Sequence, residues 1–453
     1  MASEEAVSAA GEGILAGETA SAGESASAGE SASAGEKTFA DETASTRERA
    51  DSASEILSRE AGSRLGAVLR DGEQVTPLEL FFDLVFVLAI TQCTALMSSN
   101  PTWSGVVQGI LVLAVLWWAW TGYAWLTSVV DPEEGAVRIA IFGAMAALLV
   151  VSLCVPEAFG GLALTFAVAY GAVRAGHIAL FVLASRDDTS LRESVLGLAI
   201  STAIGVGLLV AASFLDGLAQ GALWVLAVAL DMGGPYLVGS EGWKLVPSHF
   251  AERHGLILII ALGESIVAIG VGAEGELTAG IVAAAVLGIA LTAGLWWIYF
   301  DVVALVASRH LASMPPGRER NELARDAYSY LHLPMVAGVV LAALGLKKAL
   351  GHVEDPLATV PDFALLGGVG IYLLAHVAFR LRNIGSINRE RAVVGLVMFV
   401  LIPLALEMSA LAALAMVTVV LWALIVYEAV RFSERRRRIR HPDAEPAARR
   451  PGG

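Results

Sequence analysis

Long apolar runs separated by short polar segments fill the chain from residue 78 to residue 431. Each run is close to the roughly 20 residues that an α-helix needs to cross the hydrocarbon core of a bilayer, at about 1.5 Å of rise per residue. Twelve runs can be counted, at about 78–97, 105–129, 137–155, 160–184, 193–214, 218–239, 254–272, 279–306, 326–349, 363–381, 391–406 and 409–431. The pattern predicts an all-α polytopic membrane protein with about 12 transmembrane helices.

The boundary between the last two runs is the least regular one. Glu407, Met408 and Ser409 form the whole connection, so the sequence is compatible with a very tight turn or with one long kinked helix. A turn gives an even number of spans, which places both termini on the same side of the membrane.

Basic residues in the short loops indicate which side each loop lies on, because Lys and Arg are retained on the cytoplasmic side. If the N-terminus is inside, alternate loops from Arg138 onwards carry nearly all the bases, whereas the opposite loops carry only Lys347 and Lys348. Both termini are therefore predicted to be cytoplasmic. The C-terminal tail, residues 433–453, is basic, and its cluster serves as a topology anchor or contacts anionic lipid headgroups through Arg435, Arg436, Arg437 and Arg438.

Composition supports this assignment once the N-terminal tail is considered separately. Apolar residues make up 56% of the chain and charged residues only 16%, against about 25% charged in soluble domains. Residues 1–72 are rich in Ser, Ala, Gly and Glu and are predicted to be a disordered acidic tail in the cytoplasm. The first 70 residues hold 13 acidic and six basic residues and so supply half of the net charge of −14. No nucleic-acid partner is predicted.

An internal duplication is visible when the runs are compared. His177 in the fourth run and His376 in the tenth both precede a charged loop, and the pairs Trp117–Trp118 and Trp296–Trp297 are 179 residues apart. Six runs per unit predict two parallel repeats. The predicted repeats are residues 73–242 and 243–432.

Ionisable residues inside the spans are the main candidates for function, because each is costly in a bilayer and usually pairs with another or faces water. Those predicted to line an ion or substrate path are Glu79, Asp83, Arg174, His177, Asp231 and Glu264. Two interpretations remain open. The acids and Arg174 neutralise one another and clamp the helices, or the carboxylates bind and release a cation or proton. Gly263 and Gly270 beside Glu264 predict the close approach of another helix.

Patterns of soluble catalysis are missing from the sequence, which has no P-loop, GxSxG or paired GxGxxG context. The segment HFAERH, from His249 to His254, contains metal-ligating residue types, but Arg253 opposes a cation and the HExxH spacing is absent. It is interpreted as a salt-bridge cluster at the entrance to the seventh span. No catalytic residue, metal site or cofactor is predicted, and the chain is not expected to be an enzyme.

Three long motifs are VTPLELFFDLVFVLAITQ (residues 75–92), HFAERHGLILIIALGESIVAIG (249–270) and LWWIYFD (295–301). They closely resemble the bacterial low temperature requirement protein A family, over about residues 73–432. The resemblance implies an integral protein of the bacterial plasma membrane that is linked by name to growth in the cold. The matching motif residues, whose roles are unassigned, include Glu79, Phe82, Asp83, His249, Glu252, Arg253, His254, Gly263, Glu264 and Asp301.

The first motif is also similar to the first helix of endosomal and bacterial potassium channels built from six-span repeats. Phe82 and Asp83 stand at the Ser-Asp positions of their Phe-Ser-Asp pattern, with Phe in place of the Ser. We therefore expect the protein to transport an ion or small solute along a path lined by intramembrane carboxylates. The alternative is a non-transport membrane factor in cold or stress adaptation, such as a scaffold or lipid sensor. A polar cavity that reaches Asp83 or Glu264 would favour transport.

Overall fold

The computed structural model describes residues 74–133, 135–238, 242–273 and 276–440. The predicted disordered tail, residues 1–72, and the last part of the predicted basic tail, residues 441–453, lie outside these ranges. The described residues form 16 α-helices and no β-strand. The helices are α1 (Pro77–Ser99), α2 (Trp103–Thr127), α3 (Gly135–Cys154), α4 (Ala163–Ala184), α5 (Thr189–Ala212), α6 (Gly217–Val238), α7 (Pro247–Gly272), α8 (Ala279–Phe300), α9 (Val303–Ser313), α10 (Arg318–Leu323), α11 (His332–Gly351), α12 (Thr359–Ile384), α13 (Arg389–Val400), α14 (Ile402–Ala405), α15 (Ala410–Arg431) and α16 (Ser433–Arg440). A π-helical turn, Ala324–Tyr330, joins α10 to α11.

Eleven helical segments within the described residues are long and apolar enough to cross a membrane, and they match eleven of the twelve predicted runs. The predicted run at 391–406 instead forms two short helices, α13 and α14, which are interrupted at Leu401. Pro403 accounts for the break, because proline lacks an N–H and its ring clashes with the carbonyl four residues earlier. The tight turn after it is present, since Ser409 caps the start of α15. The all-α multi-pass architecture is confirmed.

The surface and the interior of the bundle have the polarity expected in a bilayer. Large apolar side chains point outwards, and Leu218 and Leu237 are 94% and 83% exposed. Charged side chains are buried instead, among them Arg174 and Arg253, which are at most 1% exposed. An apolar exterior suits lipid, whereas buried charges require partners inside the bundle.

Helices α1 and α7 pack against each other near the middle of the bundle. Helix α1 also contacts α2, α3 and α11, and α7 also contacts α8, α9 and α11. Each of the two helices has several helical neighbours, and the polar side chains Glu79, Asp83 and Arg253 on their shared interface are buried.

Small residues allow the closest helix contact, between α11 and α12. A Cβ atom added at Gly345 would lie 2.5 Å from the backbone nitrogen of Leu365, which leaves no room for a side chain. The predicted role of Gly263 and Gly270 is wrong, because a Cβ atom added at either would meet no described atom within 4 Å. The tightly packed glycine of α7 is Gly272, at its C-terminal end. Spacing alone does not show which face of a helix meets a neighbour.

Asp188 connects two of the loops at one end of the bundle. Its carboxylate accepts hydrogen bonds from Ser190 Oγ at 2.7 Å and from the Leu191 backbone nitrogen at 3.1 Å, and it pairs with Lys244 Nζ at 3.1 Å. These contacts lower the pKa of Asp188 to about 2. The aspartate thereby caps α5 and holds the segment between α6 and α7 in place.

Candidate functional site

The faces of α1 and α7 that meet each carry two ionisable residues spaced four apart. Glu79 and Asp83 lie on α1, and His249 and Arg253 lie on α7. Residues four apart point to the same side of a helix, so each pair projects into the interface. All four are at most 1% exposed.

Arg253 is the centre of this cluster. Its Nη1 donates to Glu79 Oε1 at 2.9 Å and to Thr127 Oγ1 at 3.0 Å, and its Nη2 donates to Asp83 Oδ1 at 2.7 Å. The guanidinium carbon also lies 5.7 Å from the centre of the Trp120 ring. One cation therefore holds two carboxylates of α1 and joins α1, α2 and α7.

Glu79 has two structural roles, one for each carboxylate oxygen. Oε2 accepts a hydrogen bond from the Thr76 backbone nitrogen at 2.9 Å, while Thr76 Oγ1 accepts one from the Glu79 backbone nitrogen at 3.3 Å. This reciprocal capping box fixes the start of α1. Oε1 lies 2.8 Å from His249 Nε2 in addition to its bond from Arg253. The N-terminus of α1 is thus locked to α7.

Only one of the two carboxylate oxygens of Asp83 is hydrogen-bonded among the described residues. Oδ1 accepts from both Arg253 and Trp120 Nε1, the latter at 2.8 Å, whereas Oδ2 is buried and has no hydrogen-bond partner in the described part of the chain. The cluster holds two carboxylates and one guanidinium. Its net charge is −1 when His249 is neutral and zero when His249 is protonated, so the cluster has the capacity to take up a proton.

Glu264 lies further along the same interface and is 3% exposed. Thr91 Oγ1 on α1 donates a 2.5 Å hydrogen bond to Glu264 Oε2. No Lys, Arg or His of the described ranges forms an ion pair with it. A buried carboxylate with a hydroxyl as its partner is stable when protonated or when it binds a cation.

Arg174 and Asp231 form a separate network inside the first half of the chain. Arg174 Nη2 donates to Asp231 Oδ1 at 3.0 Å and to Thr202 Oγ1 at 2.6 Å, and Tyr170 donates to Asp231 Oδ2 at 3.1 Å. His177 packs beside this network without a hydrogen bond to it. The predicted path residues thus fall into three groups: the Arg253 cluster, Glu264 with Thr91, and the Arg174 network.

The HFAERH segment differs from its prediction. Helix α7 already begins at Pro247, so His249 and Arg253 lie within it and are buried, while Glu252 is exposed and faces away. His254 Nδ1 donates to the Phe250 carbonyl at 2.8 Å. The salt bridges are real, but they lie inside the bundle because the carboxylates of α1 neutralise Arg253.

The remaining motif residues lie in other places. Phe82 packs on Tyr123 with ring centres 4.9 Å apart. Asp301, after the end of α8, pairs with Arg436 at 2.6 Å and Arg440 at 3.2 Å, both on α16. These contacts make Phe82 part of the packing between α1 and α2 and make Asp301 the anchor of α16.

Sequence reasoning missed a further ion pair, which is partly buried. Arg391 on α13 contacts both oxygens of Glu428 on α15, at 2.9 and 2.8 Å. Arg391 stands at the start of the predicted run 391–406, directly after other charged residues. Glu428 offered a signal, because an acid near the end of a predicted span needs a cation as its partner.

Cavities of different sizes lie among the described residues. One of about 290 Å³ is lined in part by Asp301, one of about 50 Å³ in part by Arg174 and His177, and one of about 10 Å³ in part by Glu79 and Arg253. Neither Asp83 nor Glu264 lines any of these three cavities.

Comparison with known proteins gives one family and one curated relative. The family model described as bacterial low temperature requirement A protein (LtrA) matches residues 74–426. An uncharacterized protein of Rhizobium meliloti (strain 1021) is 31% identical over 310 residues, which is 65% of this chain and 74% of that protein. No solved structure matches the chain.

Proposed function

Because the chain belongs to the bacterial low temperature requirement A family of multi-pass membrane proteins, and because its central helices bury three carboxylates beside one guanidinium, we propose that it moves an ion or a small solute across the bacterial plasma membrane. The proposal includes no enzymatic step and no cofactor.

The observation that carries this proposal is the state of the carboxylates between α1 and α7. Glu264 accepts a hydrogen bond from a hydroxyl and forms no ion pair within the described residues, and Asp83 has one oxygen without a hydrogen-bond partner there. Ionisable groups in this condition inside a membrane protein mark ion routes and proton relays. Protonation, or binding of a cation, changes the charge at the interface and provides a physical reason for the two helices to move apart.

The packing of the helices supports two parallel repeats around this interface. Within the first six helices, α1 packs on α3, α3 on α4 and α4 on α5; within the second set, α7 packs on α11, α11 on α12 and α12 on α13. Glu79 contacts His249, and Asp83 contacts Arg253, each pair being 170 residues apart. Contact between equivalent positions is typical of helices that face each other across a two-fold axis. The transport path is proposed to follow this axis.

A second candidate function follows from the closure of the same interface. Arg253 holds both carboxylates of α1, and the cavities of about 290, 50 and 10 Å³ are not lined by Asp83 or Glu264. A permanently closed network would suit a non-transport membrane factor, such as a scaffold or lipid sensor in cold or stress adaptation. The transport proposal requires that the network open.

Proteoliposome flux measurements distinguish the two functions. We expect the wild-type chain to conduct protons or a monovalent cation, detected with pH-sensitive and thallium-sensitive dyes, and the Glu264→Gln variant to lose at least ten-fold of this flux. The amide keeps the size of the side chain but cannot be ionised. Asp83→Asn is expected to have a similar effect.

Glu252→Gln is the matched control, because Glu252 is a carboxylate on the same helix that faces outwards. Its flux should remain within two-fold of wild type. Equal flux from well-folded Glu264→Gln and wild-type protein, or no flux of any tested ion from the wild type, would favour the scaffold.

The basic C-terminal helix is proposed to lie at the cytoplasmic surface and to contact anionic lipid. Arg437 and Arg438 of α16 are exposed, while Arg436 is engaged with Asp301; the side chain of Arg435 lies outside the described part. Added phosphatidylglycerol should raise the melting temperature of the detergent-purified protein more than phosphatidylcholine does. The Arg437→Gln/Arg438→Gln variant should lose most of that difference, and an undiminished difference would contradict the proposal.

A further inference from the structure

A small cavity is lined by buried polar atoms that have no hydrogen-bond partner among the described residues. It lies among α2, α4, α5, α6 and the segment that leads into α11, and it has a volume of about 50 Å³. Trp118, Thr121, Arg174 and His177 are among the residues that line it. The volume exceeds what one water molecule needs and is suited to a molecule of a few heavy atoms.

Four buried polar groups line this cavity and have no hydrogen-bond partner among the described residues: Trp118 Nε1, Thr121 Oγ1, Arg174 Nε and His177 Nδ1. Thr121, Arg174 and His177 are at most 2% exposed, and Trp118 is 6% exposed. Buried polar groups in native proteins are nearly always hydrogen-bonded, so four of them without a partner around one space indicate a missing ligand.

The chemistry of the wall favours a ligand that accepts hydrogen bonds and carries negative charge. The indole nitrogen of Trp118 and the Nε of Arg174 only donate, and the Thr121 hydroxyl can donate. Arg174 and Arg325 are the charged residues of the described wall, and no Asp or Glu lines it. Asp231 neutralises Arg174 from the other side, through Nη2, which leaves Nε available to a ligand.

Aromatic rings form an apolar part of the cavity wall. Trp125, Trp243 and Phe181 line the cavity, and Trp243 packs edge-on against both of the others, with ring centres 5.7 and 5.1 Å apart. Asn321 Nδ2 donates to the Trp243 carbonyl at 2.7 Å, which fixes that residue. A ligand therefore meets both hydrogen-bond donors and apolar rings.

Gly122 allows the inner wall to form. A Cβ atom at this position would lie 2.9 Å from ring atoms of His177 and 3.1 Å from Arg174 Nη1. Only glycine lets α2 approach these two side chains while the cavity beside them stays open. Gly122 therefore leaves room for the side chains of His177 and Arg174 beside α2.

We propose that this cavity binds a small monocarboxylate of about the size of acetate. The carboxylate accepts hydrogen bonds from Trp118 Nε1, Arg174 Nε and the Thr121 hydroxyl, and its short apolar body packs against the aromatic rings. This binding site is separate from the α1–α7 interface and does not depend on the proposed transport.

Isothermal titration of the full-length protein in nanodiscs tests this site, in a sulfate buffer free of carboxylates, with sodium acetate as the probe. We expect saturable acetate binding that is at least ten-fold weaker in Thr121→Val and in Trp118→Phe. Because the Thr121 hydroxyl has no described partner, Thr121→Val should fold normally and melt at the wild-type temperature or above it.

Thr418→Val is the matched control, because the Thr418 hydroxyl is buried on α15, bonded to the Leu414 carbonyl and not part of this cavity. It should bind acetate as the wild type does. Absence of acetate binding to the wild type, equal binding by all three variants, or chloride binding as tight as that of acetate would each overturn the assignment.

Discussion

Replacing Arg253 with methionine is expected to lower the free energy of unfolding by about 3–5 kcal/mol, the range measured when one partner of a buried ion pair is removed. Arg253 is fully buried and forms ion pairs with both Glu79 and Asp83. Without it the two carboxylates lie on one helical face with only His249 as a source of positive charge. Thermal unfolding of the detergent-purified variant, beside the wild type, measures the loss.

The origin of this loss can be verified by removing the charges that Arg253 compensates. The triple variant Glu79→Gln/Asp83→Asn/Arg253→Met should recover a large part of the stability, because no buried charge remains. Arg318→Met is the control: Arg318 forms an exposed pair with Glu322, and such pairs contribute less than about 1 kcal/mol. A single Arg253→Met variant as stable as Arg318→Met would mean that the cluster does not hold the helices together.

Most of the helical architecture can be predicted from hydropathy. A segment that crosses a bilayer has to satisfy its own backbone hydrogen bonds, so a long apolar run indicates a helix. The exception at 391–406 shows where this reasoning ends. Hydropathy reflects only how apolar the side chains are, and one proline hardly changes it. Pro403 nevertheless divides the run into α13 and α14, because it lacks an N–H.

The candidate site could be predicted only in part. An acid inside a span is costly in a bilayer and therefore stands out in the sequence, as do Glu79, Asp83 and Glu264. Arg253 was predicted to lie at the entrance to the seventh span, because the charged residues of the HFAERH segment lower the local hydropathy. Its real position depends on partners that lie 170 and 174 residues away, on another helix. Such a long-range pairing is invisible to a local pattern.

One signal in the sequence does point to that pairing. Both α1 and α7 begin with a proline, and the acidic positions of one match basic positions of the other at an offset of 170 residues. Opposite charges at equivalent positions of two repeats are complementary only if the two helices face each other. The constant offset between the two charge patterns therefore indicates that α1 and α7 face each other, which the sequence of either helix alone does not.

The second large effect is expected at Asp231, which should cost about 3–5 kcal/mol of stability when replaced by alanine. Arg174 is then left as a buried cation with Thr202 as its remaining side-chain partner in the described network. Tyr170 also loses the acceptor of its hydroxyl. The melting temperature of the detergent-purified variant, compared with that of the wild type, measures this loss.

The neutral double variant Arg174→Met/Asp231→Leu should be more stable than Asp231→Ala alone, since it replaces a broken ion pair with apolar volume. Its comparison with Arg253→Met also tests whether the two networks act independently. They share no hydrogen-bond partner in the described structure, so the losses of Asp231→Asn and Glu264→Gln should add to within about 0.5 kcal/mol in the double variant. A larger coupling would mean that the Arg174 network and the central interface respond to each other.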